Sequence, residues 1–468
     1  MLQTSGLGIG SIALTSLLDL DSVLAGESPS DYPNNLKPRR PHFEPQVRAV
    51  IMMMQNGGPS QMDLFDEKPE LKKRDGQRHS DAVEQFQTGS EANKLMGSPF
   101  EFKRYGRSGM NLSEVIPHIG SVADDLCLVR SMVSEHNNHT EALVLLNTGK
   151  IFPGRPAIGS WVSYGLGTEN ANLPAYIVLR DPEGYNTSGT LLWQNGWLPA
   201  VFGGTEVSTK GAPILNLRPP EARLAAVERT NQDLLGKLNL AHQKNHAGEA
   251  DLEARILNYE LAARMQLAAP ELLDISGESP ATRKLYGLEN ETTAGYGLRC
   301  LMARRLVEAG VRFVQVFPPV KPQSQPWDSH GNVKDELTKI CASCDEPTAA
   351  LLRDLKGRGL LDSTLVIWSG EFGRLPISQN GKGRDHNRNA FSLLLAGGGF
   401  KPGHVHGATD PLGYRSVEDV VTVPDLHATI LHQLGIDHTH LKFRLHGTNE
   451  TPTDARVTKA RVVRELLC

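Results

Sequence analysis

Cysteine is scarce in this chain of 468 residues, with five at positions 127, 300, 341, 344 and 468. An odd, scattered set in a chain of this length is no disulfide framework. Cys341-Ala-Ser-Cys344 has a C-x-x-C spacing, but no second pair completes a zinc site and the stretch has helical character, so a packed pair is expected. An excess of positive charge is also absent. The formal net charge is -4, which leaves no basic field for a polyanion and excludes nucleic acid as a partner. Beyond the opening residues, no apolar run is long enough to span a bilayer. Aromatic residues make up only 6%, yet 39% hydrophobic and 22% charged residues are near the globular average, which excludes disorder.

What is there begins with an uncharged stretch of small and apolar residues, Met1 to Leu14, ending near Val23-Leu24-Ala25. It has the apolar region and small-residue cleavage site of an export signal, without a positive segment ahead of it. Residues 1–26 are therefore expected to be the remnant of an export signal, with a buried helix as the alternative, and the protein to work in the periplasm or outside the cell. The polar, proline-rich segment Glu27 to Pro45 suits the start of a mature chain.

Short apolar runs recur along the rest. Arg48 to Met54, Asp124 to Val133, Ala175 to Leu179, Val311 to Phe317, Thr364 to Trp368 and Phe391 to Leu395 read as strands. Thr140 to Leu146, Leu298 to Ala309, Thr348 to Lys356 and Asp425 to Leu434 read as helices, with Gly149 a plausible cap to the first. Alternation of the two predicts a mostly parallel sheet flanked by helices. The stretch from about 220 to 268, rich in Glu, Ala, Leu, Arg and Gln, predicts a helical insertion within a single domain covering 27–468. The tail from Thr453 to Cys468 reads as a short amphipathic helix.

Acids and imidazoles follow these strands. Trp327-Asp328-Ser329-His330 comes after one, Trp368-Ser369-Gly370-Glu371-Phe372-Gly373-Arg374 after the next, then Gly383-Arg384-Asp385-His386-Asn387. Ligands collect at the carboxyl ends of strands in open α/β sheets, so these side chains can converge on one metal-centred point. Asn56-Gly57-Gly58-Pro59-Ser60 breaks the first strand with paired glycines that let backbone approach a ligand; Ser60 reads as a helix cap. Ser134 to His139 follows the second strand.

Taken together, Asn56 to Pro69, Gly154-Arg155-Pro156, Ala303 to Leu306, Trp327 to His330, Gly370 to Arg374 and Gly383 to His386 resemble a large domain-of-unknown-function family of exported bacterial proteins, placed in the alkaline phosphatase and sulfatase superfamily. The resemblance spans nearly the whole chain and implies the sandwich fold of that superfamily. It also implies chemistry in which bound divalent cations polarise a phosphate or sulfate ester. By resemblance, Asp328, His330 and His386 are ligands of the first metal site. Asn56 stands where an Asp is usual, Glu371 where another Asp is, and Phe372 where a His or Asn belongs, so the second site is depleted unless Asp63 or Asp385 turns inward. A single divalent ion is expected, with Zn, Mn and Ca all open. The family's usual twin-arginine pair is missing.

The nucleophile position, nine residues before the Thr148-Gly149 pair, holds His139. With no cysteine there to become formylglycine, ordinary sulfatase chemistry is excluded. His139 could ligate the metal, act as general base or attack directly, and ligand or base is preferred; His136 is a weaker candidate for the same duty. Arg155, Arg374 and Arg384 are candidates for gripping the anion, each with a structural salt bridge as the alternative. His427, His432, His438, His440 and His446 read as structural. The expected function is a hydrolase of a phosphate or sulfate ester of a small molecule or polysaccharide. The competing expectation is a lapsed enzyme kept as a carbohydrate-binding or envelope-assembly module.

Overall fold

The computed structural model describes residues 35–210 and 272–468 apart from 322, with isolated positions between 230 and 265. The expected export segment at 1–26 lies outside the described residues, as does most of the insertion expected at 220–268. Those positions of 230–265 that are described are helical.

The architecture is mixed α/β with a central, mostly parallel sheet flanked by helices. Among the described residues its nine strands are β1 (Ala49–Met54), β2 (Leu126–Val133), β3 (Tyr176–Leu179), β4 (Thr205–Glu206), β5 (Phe313–Val316), β6 (Thr364–Ser369), β7 (Phe391–Ala396), β8 (His404–His406) and β9 (Val421–Thr422). They run in the order β8-β2-β7-β6-β1-β5-β3-β4, with β9 beside β2. β1 is parallel to both β5 and β6. Only β7 is antiparallel to its neighbours, β2 and β6.

Every residue of β1 is buried, because its two faces pack into two different cores. Ala49, Ile51 and Met53 face a cluster containing Tyr296 and Leu301 of helix Glu291–Glu308 and Leu337 and Leu351 of helix Val333–Gly357. Val50, Met52 and Met54 face Leu143 of helix α1 (His139–Thr148), Trp161 and Ile430. A strand buried on both sides must read as a continuous apolar run, which is why the run 48–54 was legible.

The predicted strands and helices are present, with ends displaced by a few residues. The helix expected at Thr348 to Lys356 is the second half of Val333–Gly357, which carries Pro347 and encloses the buried Cys341 and Cys344. The tail departs from expectation. Instead of an amphipathic helix it has one helical turn, Ala455–Thr458, and a 3-10 turn, Arg464–Leu466, whose Val463 and Leu466 are pressed into the core by irregular backbone. No helix among the described residues is long and apolar enough to cross a membrane.

Candidate metal centre

β1, β5 and β6 end on one rim of the sheet, and the chain leaves each of them with a site residue. Gly57 and Gly58 follow β1 at φ 118° and 69°, a region closed to most side chains. A Cβ on Gly57 would lie 2.6 Å from the backbone nitrogen of Asp328, and one on Gly58 2.6 Å from the Phe372 ring. Only glycine lets the backbone press in here. Their freed N–H groups point at Glu371: Gly57 donates to Oε1 at 3.0 Å and Gly58 to Oε2 at 3.2 Å.

After β5, the turn Gln325–Asp328 is pinned by Trp327, whose backbone N–H donates to the Asn56 carbonyl and whose indole donates to the Gln55 side chain. This delivers Asp328. After β2, His139 opens α1, whose orientation is fixed by a buried chain in which Gln315 of β5 donates to Asn147 at 2.7 Å. His386 arrives differently, on a two-residue ribbon in which it lies opposite Arg374, just ahead of the reversed strand β7.

Four groups meet at Oδ1 of Asp328. Nη2 of Arg374 is 2.6 Å away, Nε2 of His330 2.8 Å, Nε2 of His386 3.2 Å and Nε2 of His139 3.3 Å. The Nε2 atoms of His330 and His386 are 2.9 Å apart. Behind each ring, Nδ1 is held by an acceptor: the Glu371 carboxylate for His139 at 2.6 Å, the Asn137 carbonyl for His386 at 2.6 Å, and the Gln379 amide oxygen for His330. Gln379 is itself oriented by donating Nε2 to the Thr88 carbonyl at 2.8 Å. An imidazole that donates from Nδ1 presents a lone pair at Nε2, so His330 and His386 turn two lone pairs toward each other across hydrogen-bonding distance. That contact is repulsive unless a proton or a metal ion lies between them.

The electrostatics agree. Burial pushes the His386 pKa down to about 3, with Arg374 adding to the effect and Asp328 opposing it, so the ring is neutral. Burial, the largest single influence on His139, also disfavours charge, but Asp328 and Glu371 together hold its pKa above the ordinary value. Burial would raise the Asp328 carboxyl; Arg374 and the three imidazoles outweigh it and hold it far below the usual range.

The donor set fits a divalent ion. Edges of 2.8 to 3.3 Å among these atoms are close to the roughly 3.3 Å edge of a tetrahedron whose metal–ligand bonds are about 2.0 Å. His139, Asp328 and His386 form one group able to hold an ion, and His330, Asp385 and His386 a second that overlaps it. The buried Nε2 of His139 has no hydrogen-bond partner, and neither amide atom of the fully buried Asn56 has one.

Several expected site residues make other contacts. The Asp385 carboxylate lies beside His330 and His386, but its oxygens accept from backbone nitrogens, Oδ1 from His386 and Oδ2 from Phe86 and Gln87. Asp63 does not reach the cluster, being locked to Arg384 at 2.7 and 3.1 Å; Ser60, the N-cap residue of the short helix Gln61–Leu64, donates its hydroxyl to it and makes no side-chain bond to the helix backbone. Arg384 also donates to the Leu375 and Met96 carbonyls, and Arg374 to those of Gly58 and Arg384. Both guanidinium groups are fully buried and committed, so neither can grip a substrate. Arg155 lies over the Trp197 ring and bonds Glu450 and the Thr451 carbonyl, without touching the cluster. Glu371 spends both oxygens on the glycine N–H groups and His139, so it supports the imidazole from behind. His136 stays outside, its Nδ1 accepting from the Asn138 backbone.

Two supporting residues escaped the sequence reading, Asn137 and Gln379: the first had a signal, adjacency to the His136–His139 run, and the second comes from a loop with none. The reading of His427 as structural agrees with its buried ring, bonded to the Leu146 carbonyl at 2.9 Å.

Among solved structures, the chain is similar to a phosphonate monoester hydrolase from Silicibacter pomeroyi at 12% identity, covering 90% of this chain and 76% of that one with a TM-score of 0.37. It is similar to a protein in the alkaline phosphatase superfamily from Vibrio parahaemolyticus at 11% identity, 95% and 79% coverage and a TM-score of 0.37. A sulfatase from Pseudoalteromonas sp. aligns at 13% identity, 85% and 68% coverage and a TM-score of 0.35. At scores this low, the site's own geometry decides what the chain can do. A search of curated proteins finds no significant match. The model of the family described as "Protein of unknown function (DUF1501)" matches residues 47–467, so the chain belongs to that family.

Proposed function

We propose that this protein is an exported, metal-dependent hydrolase of a phosphate or sulfate ester, borne by a small molecule or a polysaccharide. The observation that carries the reading is the meeting of three imidazole Nε2 atoms at one Asp328 oxygen, each ring braced at Nδ1. In this reading Asp328, His330 and His386 would hold one divalent ion, with the His386 ring kept neutral by its burial. An ion there would supply Lewis acidity toward the ester's oxyanion group. His139 differs from the other rings because its Nδ1 faces a carboxylate, which stabilises the imidazolium; paired with Glu371 it serves as the general acid–base. Arg374 keeps Asp328 ionised and aimed. Export rests on the apolar segment at residues 1–26.

Elemental analysis of protein purified without chelators tests the reading, together with turnover of aryl phosphates, phosphodiesters and sulfates in Zn²⁺, Mn²⁺, Mg²⁺ and Ca²⁺. Expected are a stoichiometric divalent metal that Asp328→Ala and His386→Ala lose, and turnover that His139→Ala abolishes. Absence of metal, with Asp328→Ala unchanged in stability and ligand binding, overturns it. The lapsed-enzyme reading draws on one observation: all three arginines expected to hold the anion are engaged elsewhere. Metal retention without turnover of any ester would favour it.

A further inference from the structure

Phe86 belongs to no motif, yet it sits against the metal cluster. Its ring is stacked on that of His386 with centroids 4.9 Å apart and planes 17° from parallel. His386 also contacts Phe372, whose centroid is 4.6 Å away, but Phe372 is fully buried whereas Phe86 is 43% exposed. The chain fixes this exposed ring with care. Oδ2 of the buried Asp385 accepts from the backbone nitrogens of Phe86 at 2.7 Å and Gln87 at 2.9 Å, while Oδ1 takes the backbone nitrogen of His386. Two residues on, the Thr88 carbonyl orients the Gln379 amide that braces His330. The segment 86–88 is thus tied to the groups that set two of the proposed ligands. The surroundings are polar: Arg388 and Glu84, both well exposed, pair at 3.0 Å, and the Arg388 backbone donates to Asn137, which braces His386.

We propose that Phe86 forms a ring-binding subsite beside the cluster, a flat apolar wall for the ring face of the alcohol that the ester releases. A phenyl face accepts another apolar ring face by offset stacking, and an isolated apolar surface among convergent polar groups is the usual construction of a selective pocket. The adjacent Arg388 and Glu84 suit a ring bearing hydroxyls, so a sugar is the favoured occupant and a phenol the alternative. The subsite rests on the hydrolase reading above and adds its substrate class.

The test uses the full-length protein carrying its metal, with methyl, phenyl and glucosyl phosphonates as non-hydrolysable probes in calorimetry, and metal content measured alongside. Wild type is expected to bind at least one ring phosphonate about tenfold more tightly than methyl phosphonate, the scale of one stacking contact. Phe86→Ala should erase that preference while methyl phosphonate affinity and metal content stay unchanged, and Phe86→Tyr should keep it. A gain for glucosyl identifies a carbohydrate ester, and a gain for phenyl alone an aryl ester. The subsite is overturned if the preference survives in Phe86→Ala, if wild type shows none, or if the variant loses metal and all three probes together, since the ring then only shields His386. Wild type that holds no metal and binds no phosphonate removes the hydrolase reading, and the subsite with it.

Discussion

Two arginine–carboxylate pairs, whose arginines share one excursion of the chain between β6 and β7, have opposite characters. Asp63 and Arg384 are both fully buried, joined at two points, with the remaining donors of Arg384 on carbonyls. Asp328 and Arg374 are joined through one oxygen, that oxygen also faces three imidazoles, and the Asp328 side chain is 17% exposed. The first pair is closed and can only hold loops together. The second is left open on one side, and its arginine keeps an acid ionised where a cation can reach it. The same residue types, a short distance apart, separate into stability and chemistry by what is left unsatisfied around them.

The contrast can be broken most forcefully by Asp63→Asn, which leaves the Arg384 charge buried without a counter-ion. It should cost about 3–5 kcal/mol in chemical denaturation while leaving the metal site's ligands in place. Asp328→Asn also removes the counter-ion of the buried Arg374 and should destabilise too, but it alone should lose metal; metal retained by Asp328→Asn, or lost by Asp63→Asn, would erase the distinction. A closed group elsewhere in the molecule is His427, whose burial lowers its pKa to about 4 from an ordinary 6.5. As pH falls through that window the unfolded chain takes up a proton that the folded chain refuses, so stability falls with falling pH by up to roughly 3 kcal/mol, and His427→Gln should flatten that part of the profile. On the open side, chelation should lower the melting temperature of wild type by the equivalent of about 2.7 kcal/mol when metal had been at a hundred times its Kd, and leave Asp328→Asn unaffected. Arg155→Ala, belonging to neither pair, should cost under about 1 kcal/mol in the same melts and leave metal content alone.

Strands and site loops were legible because burial on both faces forces continuous apolar runs and because Asp328 and His330 follow a strand, whereas His386, which precedes one, came from the family resemblance. The arginines were not. Whether a guanidinium faces solvent, substrate or a carbonyl depends on loops that arrive from elsewhere, such as Met96 and Gly97 against Arg384. Gln379 was hidden for the same reason, since it acts through one contact made by a distant segment. The tail was misread because Val463 and Leu466 have helical spacing but are buried by backbone that pairs irregularly with Gly399 and Lys401.

The reversal of β7 has a further consequence. Since that strand runs against β6, the chain departs from the rim at Gly370 and comes back to it at Ala390, so Glu371 and His386 stand at the two feet of one arch. Lengthening or shortening the arch would displace both feet together, and with them the brace behind His139 and the ring above Asp328. The crown, where the chain turns back through the left-handed Asn380 and Gly381, is tied in as well, because Gln379 beside it braces His330.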